Sequence, residues 1–110
     1  MADHLQLQFA EQPDQVLELL ALPADKKAGI RVGTAILKKG ERIPAEGQAV
    51  HPQTEISLIL KGDLLVETAS EHRRMQPGDV VRLAPGEAHH SIAHEDTEIF
   101  WVLFGDDHAA

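Results

Sequence analysis

The sequence predicts an all-β protein, a sandwich or barrel of antiparallel strands. Short apolar segments recur along the chain, and from residue 40 onward turns rich in Gly and Pro separate them at short intervals. Residues 77–79, Pro-Gly-Asp, are the strongest of these turn signals. At most one helix is indicated, which leaves no room for the crossover helices of a parallel sheet. These observations favour antiparallel strands packed around one core.

Most of the chain can be assigned to strands from its alternation of apolar and polar residues. The predicted strands, in chain order, are residues 5–9, 29–37, 48–51, 55–60, 64–68, 80–83, 88–92 and 97–104. Residues 16–22 leave two alternatives open, a short helix that begins near Pro13 or a strand that ends at Pro23. Residues 24–27 and 70–73 are polar and are predicted as loops.

Length and composition limit the class of protein. With 110 residues, the chain is long enough for a single domain, residues 1–110, with its own core. The absence of Cys excludes a disulfide framework and thiolate chemistry. A formal charge of −8 argues against nucleic acid as a partner, because nucleic acid requires a basic face. No segment is typical of a signal peptide or a membrane span, so we expect a cytoplasmic protein with no membrane partner.

Two of the predicted strands, residues 56–60 and 99–104, are apolar on both faces. One face of each strand can fill the core, and the other face requires a cover. We expect the cover to be a second copy of the chain, which gives a homodimer; a covering segment from the N-terminal region is the alternative. For the interior wall we expect a set of large apolar side chains, with simple core packing as the alternative role. These residues are Ile59, Met75, Phe100 and Val102.

The chemistry of the chain is concentrated between residues 48 and 62, where His51 and Glu55 flank Pro52. On one continuous strand, residues four apart would lie about 13 Å from each other. Two ligands of one metal need donor atoms about 2 Å from the ion, so a shared metal requires the chain to reverse between them. Pro52 favours a reversal because it cannot donate to a sheet ladder. A surface hairpin with two ordinary polar residues is the alternative.

These residues resemble the two motifs of the cupin superfamily. The first family motif contains His-x-His, then Glu after three or four residues, then Gly after six more. The second contains Gly, five residues, Pro-x-Gly, two residues and His. The matching residues, in chain order, are His51, Glu55, Gly62, Gly78, Gly86 and His89. The resemblance implies a single antiparallel jelly-roll β-barrel, with a motif-bearing core at residues 40–104.

The first motif departs from the family pattern at one of its two histidines. Counted back from Glu55, the first His falls on Ala49. Counted forward from Gly40, the two His positions fall on Glu46 and Gln48. The two counts differ by three residues, which indicates a short insertion and the loss of one of the family's four protein ligands.

The resemblance implies a divalent transition metal held by His51, Glu55 and His89. Two imidazoles and one carboxylate suit Fe, Mn, Ni or Zn and leave open positions for water or substrate. Glu46 or Gln48 is a candidate fourth ligand, although a solvated loop carboxylate is the simpler interpretation of Glu46.

Other charged residues near the motifs have weaker assignments. His90 follows His89 directly, so on a strand its side chain faces the opposite way. Arg82 is a candidate to bind an anionic substrate from inside the barrel. The other four arginines are predicted to be ordinary surface charges; they are Arg31, Arg42, Arg73 and Arg74.

Three functions are compatible with these motifs. The first is a small metal-dependent enzyme that acts on a small organic molecule, with dioxygenase, isomerase and lyase chemistry all open, because fold does not choose among them. The second is a non-catalytic module that binds or senses a small molecule with or without metal, and the missing His favours it. The third is a degenerate domain with an empty site that is kept for interaction. We rank the enzyme first.

Overall fold

Nine β-strands and no helix make up the part of the chain that the computed structural model describes, residues 4–22 and 29–105. The strands are β1 Val16–Leu22, β2 Gly29–Leu37, β3 Arg42–Ile43, β4 Thr54–Lys61, β5 Leu64–Thr68, β6 His72–Met75, β7 Val80–Leu83, β8 His89–Ala93 and β9 Thr97–Gly105. The predicted loop at residues 24–27 lies outside the described residues. Nothing within the described ranges forms a helix that could cross a bilayer.

The strands form two sheets in which every paired strand is antiparallel, as predicted. One sheet has five strands in the order β1-β2-β9-β4-β7, and the other has four in the order β3-β8-β5-β6. No strand ladder joins the two sheets within the described residues, so closure into a jelly-roll barrel stays a prediction. The all-β antiparallel class is confirmed.

The hydrophobic core lies between the two sheets. The five-stranded sheet contributes Ala35, Leu37, Ile59 and Ile99, and the four-stranded sheet contributes Leu64, Val66, Met75 and Ala93. Alternation along each strand directs these side chains inward. Ile59 and Met75 therefore take the core-packing role that was the alternative to lining a binding cavity.

Strand β9 lies at the centre of the five-stranded sheet, paired with β2 on one side and β4 on the other. Its inward residues are Ile99, Trp101 and Leu103, which line a cavity between the sheets. The prediction that Phe100 and Val102 form the interior wall is wrong, because these two residues alternate onto the outer face. Both faces of β9 are apolar, so its sequence alone does not tell the inner face from the outer one.

Trp101 is fixed by its neighbour on β2. Its indole Nε1 donates to the Thr34 carbonyl oxygen at 2.8 Å, and its ring lies over Gly33, the residue directly across the ladder. A Cβ on Gly33 would collide with that ring and with the Leu17 carbonyl oxygen. Glycine at this position thus makes room for the largest side chain of the cavity wall.

Three segments differ from the predicted secondary structure. Residues 5–9 alternate like a strand but form none, because the segment has no ladder partner; instead the Gln8 carbonyl accepts a hydrogen bond of 2.6 Å from Thr34 Oγ1. Residues 48–51 form only an isolated bridge at Ala49 rather than a strand. Residues 72–73, the second half of the loop predicted at 70–73, instead begin β6, which pairs with β5. Residues 16–22 adopt the strand alternative.

Asp63 ties the two sheets together at the turn between β4 and β5. Its carboxylate accepts hydrogen bonds from Arg74 Nε at 2.9 Å and Arg74 Nη2 at 2.6 Å. Its backbone N–H donates to Oγ1 of the fully buried Thr97 on β9, at 3.1 Å. Gly62 turns the chain here with φ 102°, where a Cβ would collide with Asp96 and Thr97. Arg74 is 62% exposed, as the sequence predicts for a surface charge, and it also forms the ion pair that holds Asp63.

We expect acid to weaken this corner of the fold. The hydrogen bonds and charge of Arg74 hold the pKa of Asp63 below its usual 3.8. A depressed pKa contributes stability that is present above pH 3.8 and is lost as pH falls through the folded pKa. Asp63→Asn should lower the melting temperature at neutral pH. Below pH 3.8, the melting temperature of this variant should change less with pH than that of the unmodified chain. The control Glu71→Gln, which alters the exposed pair with Arg73, should keep that dependence; equal profiles for both variants would contradict the assignment.

The outer face of the five-stranded sheet predicts the homodimer. Ile56 and Phe104 are 42% and 51% exposed there, and the half-buried Phe100 and Val102 lie beside them. Burying a large apolar side chain is worth roughly 1.5–3 kcal/mol, which favours covering this face with a second copy. We expect light scattering to give a dimer mass at micromolar concentration and Phe104→Glu to give a monomer. Val50→Glu makes the same change at a residue 58% exposed in the 48–51 segment and should leave the dimer intact.

A monomer mass for the unmodified chain would refute the homodimer. The N-terminal segment does reach this face, since Gln8 contacts Thr34, but it leaves Ile56 and Phe104 exposed. The alternative in which that segment provides the whole cover does not describe this structure.

Candidate metal centre

Backbone hydrogen bonds bring the two cupin-like motifs together beside the cavity. Ala49 N–H donates to the His89 carbonyl at 2.8 Å, and His89 N–H donates back to the Ala49 carbonyl at 3.0 Å. Gly86 N–H donates to the His51 carbonyl at 2.7 Å. After His51, the chain reverses at residues 52–53 and enters β4, which carries Glu55. The predicted reversal is thus present, although His51 lies in a loop rather than on a strand.

His51, Glu55 and His89 form one cluster. Glu55 Oε1 lies 3.2 Å from His51 Nε2 and 3.7 Å from His89 Nε2. One donor atom from each of the three residues lies within 4.8 Å of the others. The two imidazole rings are tilted by 48° with centroids 5.4 Å apart, so neither ring blocks the other.

Neighbouring groups hold two of these side chains in place. His89 Nδ1 lies 2.9 Å from the Glu87 carbonyl oxygen, which can only accept, so Nδ1 carries a proton and Nε2 is the ring nitrogen directed at Glu55. Ser57 Oγ donates to Glu55 Oε2 at 2.9 Å, which directs Oε1 toward the two histidines. His89 is 7% exposed, so its orientation is set by packing as well.

The cluster shifts the pKa of two of its members in opposite directions. The hydrogen bond to Glu55 raises the pKa of His51 above its usual 6.5, against the effect of burial. Burial acts to raise the pKa of Glu55, but hydrogen bonds from His51 and Ser57 and the charge of both histidines outweigh it, so that pKa lies below 4.5. The stability from Glu55 is lost as pH falls below 4.5, and that from His51 as pH rises above 6.5.

The sequence matches a known protein family over most of its length. The profile of the family described as Cupin domain matches residues 33–105, about two thirds of the chain. The chain belongs to the cupin domain family. No curated protein matches the chain.

Solved structures share the fold. A conserved protein of unknown function from Streptococcus pyogenes is 26% identical with a TM-score of 0.62, covering 84% of this chain and 75% of its own. A cupin superfamily protein from Desulfitobacterium hafniense is 17% identical with a TM-score of 0.63, covering 86% and 82%. A mutant of salicylate 1,2-dioxygenase from Pseudoaminobacter salicylatoxidans is 14% identical with a TM-score of 0.61, covering 67% of this chain and 21% of its own.

The cluster in this cupin fits a divalent transition metal. Donor atoms about 2 Å from a tetrahedral or octahedral ion lie roughly 3–3.5 Å apart. The separations of 3.2 and 3.7 Å from Glu55 are close to this range, and all three donor atoms lie within 4.8 Å of one another, so the side chains would have to move closer together to share an ion. Neutral imidazole and carboxylate suit Fe, Mn, Ni and Zn better than Cu(I). His89 Nε2 is already the ring nitrogen that faces the cluster.

The position of the missing first His lies beside this cluster. Ala49 lines the cavity and pairs with His89, so the count back from Glu55 gives the correct alignment. Glu46 and Gln48, the candidate fourth ligands, are both exposed, and neither lines the cavity. Glu46 also lies outside the three-residue cluster. In this structure neither residue joins the cluster, and a fourth ligand from Glu46 or Gln48 stays a prediction.

His90 faces away from the cluster, as predicted. Its Nε2 lies 3.2 Å from Glu67 Oε2 on the outer face of the four-stranded sheet, and its side chain is 14% exposed. His72 approaches the same carboxylate from the next strand, with Nδ1 at 3.4 Å from Oε2. His90 is thus a neighbouring imidazole that cannot replace His89.

The cluster lines a largely apolar cavity of about 300 Å³ between the sheets. Its walls come from both sheets and from the 43–51 segment. The apolar lining consists of Val16, Ala35, Ile43, Pro44, Ala49, Leu64, Val66, Val81, Leu83, Ile99, Trp101 and Leu103, and the polar lining of His51, Glu55, Ser57, His89 and Ser91. The polar groups cluster around one region, so the cavity can bind an apolar body beside a reactive centre.

Sequence patterns did not predict several residues of this site. Arg82, the candidate for an interior cation, is exposed and lines a separate cleft between β6 and β7 instead of the cavity. Trp101, Glu87 and Ser91 were not predicted. Strand alternation is the one sequence pattern that could have indicated them, because residues two apart on a strand share a face. Ser91 lies two residues beyond His89, and Trp101 lies two residues before Leu103.

We expect nuclear magnetic resonance titration of the metal-free protein to report this geometry. The imidazole of His51 should titrate above pH 6.5, because Glu55 stabilises its charged form. Glu55→Gln should bring that pKa back to 6.5 or below, since burial then acts without the opposing carboxylate. His90→Ala serves as the control and should leave the His51 titration in place. An unchanged His51 pKa in Glu55→Gln would show that the pair does not form.

Proposed function

We propose that this cupin is a metal-dependent enzyme acting on a small organic molecule, with His51, Glu55 and His89 as the metal ligands. The observation that carries the proposal is the convergence of the three donor groups in the wall of an apolar cavity. A structural metal site would be closed by protein ligands, whereas three ligands leave coordination positions open. The adjoining cavity gives a substrate access to those positions.

When bound, a divalent metal at this site would act as a Lewis acid that polarises a substrate oxygen. The chain's own residues have separate tasks. Glu87 holds the proton of His89 on Nδ1 through its carbonyl, and Ser57 holds one oxygen of Glu55. The apolar walls exclude water from the substrate body, which strengthens the electrostatic interactions at the ligand cluster.

The reaction type follows from neither fold nor similarity. Dioxygenase, isomerase and lyase chemistry all stay compatible with the site. The likeness to salicylate 1,2-dioxygenase at 14% identity supports the fold alone. A direct assay would incubate the metal-loaded protein with candidate small molecules and examine the products by mass spectrometry.

The second candidate is a non-catalytic module that binds or senses a small molecule. Ala49 favours it, since this position contributes a metal ligand in the family pattern and here contributes only a methyl group. No Lys or Arg lines the cavity among the described residues to assist catalysis. A bound molecule that is always recovered unchanged from metal-loaded protein would support the module over the enzyme.

We expect metal binding to depend on each of the three ligands. His51→Ala, Glu55→Ala and His89→Ala should each reduce the metal content to near background, because the site has no fourth protein ligand to compensate. His90→Ala is the matched control: it removes an adjacent imidazole that faces Glu67 and should retain stoichiometric metal. Elemental analysis of protein purified without chelator or affinity metal provides the measurement. Should wild-type protein take up no Mn, Fe, Ni or Zn in excess, the metal-dependent proposal is wrong and the metal-free module takes its place.

Restoring the absent family ligand should tighten metal binding. Ala49 is paired with His89 and its side chain lines the cavity, so Ala49→His would place an imidazole beside the cluster. We expect affinity to increase by about tenfold or more, since even outer-sphere changes alter it 10–100-fold. Val50→His, one residue along and 58% exposed, is the control and should have no effect. Competition against a chromogenic chelator measures the metal affinity of both variants. Tighter metal binding in Val50→His alone would contradict the alignment of Ala49 with the missing histidine.

A further inference from the structure

We infer that Ser91 orients the substrate, and that the substrate has a small apolar body, one metal-binding head and no second charged group. This inference rests on the proposed metal-dependent function and specifies the molecule that the same site accepts. It follows from the one uncommitted hydroxyl in the cavity and from the distribution of charge on the cavity walls.

Ser91 is a buried residue whose hydroxyl is open to the cavity. The residue is 7% exposed and lines the cavity, and no hydrogen bond joins its hydroxyl to any residue that the structure describes. Among the described residues, the fully enclosed side-chain atom without a partner is His90 Nδ1, so the Ser91 hydroxyl is accessible to water or a ligand in the cavity. On the neighbouring strands, Ser91 is paired with Ile43 and Val66, whose side chains offer it nothing polar.

The other polar groups of the cavity wall are already engaged. Ser57 donates to Glu55, and the Trp101 indole donates to the Thr34 carbonyl. His89 Nδ1 is committed to the Glu87 carbonyl. Apart from the three proposed ligands, Ser91 is therefore the one polar side chain of the described lining that is available to a bound molecule.

The position of Ser91 suits contact with a substrate at the metal centre. It follows His89 by two residues on β8, so the two side chains share the inner face about 6.6 Å apart. A donor group bound to the metal would occupy the space in front of His89. The next polar atom of such a head group would then lie within reach of the Ser91 hydroxyl.

The walls beyond the head are apolar and carry no charge. Val81, Leu83, Ile99, Trp101 and Leu103 line the cavity, and no Lys or Arg is present among the described lining residues. A volume of about 300 Å³ is at the lower end for small-molecule sites, which limits the body to about one ring or a short branched chain.

The charge of the centre limits the head group. One carboxylate, two neutral imidazoles and a divalent ion together leave a charge of about +1, which one anionic head neutralises. A second carboxylate on the body would be buried against apolar walls without a counter-charge and would be rejected.

Three hydroxamates with a common metal-binding head test the inference on Zn-loaded protein by calorimetry. Benzohydroxamate should bind at least about tenfold more tightly than acetohydroxamate, because its ring is buried against the apolar walls. The 4-carboxy derivative of benzohydroxamate should lose at least that advantage, since its second charge is unpaired. Equal affinity for all three in protein with stoichiometric zinc overturns the inference and leaves the proposed function intact. Failure to take up zinc overturns both.

Ser91 is tested with the same probe. Ser91→Ala should weaken benzohydroxamate binding by about five- to tenfold, the effect of losing one neutral hydrogen bond. Its zinc content should stay stoichiometric and the melting temperature of the free protein should not fall, because the hydroxyl has no partner to lose. Ser91→Thr keeps a hydroxyl and should restore most of the affinity. A lower melting temperature with unchanged probe affinity would identify Ser91 as structural and overturn its assigned role.

Discussion

The reciprocal backbone hydrogen bonds between Ala49 and His89 hold the candidate site together. They fix an irregular loop segment, which carries His51, against β8, which carries His89. The bond from Gly86 to the His51 carbonyl extends the same attachment. Glu55 is positioned independently by β4, which is paired on both sides with β7 and β9. The geometry of the candidate site thus depends on one short bridge between a loop and a well-paired sheet.

This bridge explains how the site keeps its shape without the first histidine of the family motif. Both hydrogen bonds involve only backbone atoms, so they form equally well with Ala or His at position 49. Loss of that side chain removes a ligand and adds space beside the cluster, while His51 and His89 stay in place. The change therefore alters the number of protein ligands rather than the architecture that positions the remaining three.

Sequence patterns predicted the class of fold and the three clustered residues, because motif spacing and turn residues carry both. They were wrong where the answer depends on tertiary contacts. Residues 5–9 alternate as a strand does, yet a strand also requires a neighbour with free hydrogen-bonding groups. Phe100 and Val102 were assigned inward because both faces of β9 are apolar, and the pairing of Trp101 with Gly33 decides which face enters the cavity. Ser91 carries no motif, and only its missing partner distinguishes it.

The two ends of the molecule differ in how far their polar groups are satisfied. Around Asp63, Arg74 and Thr97 satisfy the buried carboxylate and its backbone, so this end joins the sheets firmly. Around Glu55, the donor groups converge on a common point and Ser91 has no partner in the described chain. That hydroxyl is open to the cavity, where water or a ligand can reach it. The end around Glu55 is therefore the one whose polar groups are placed to contact a further component.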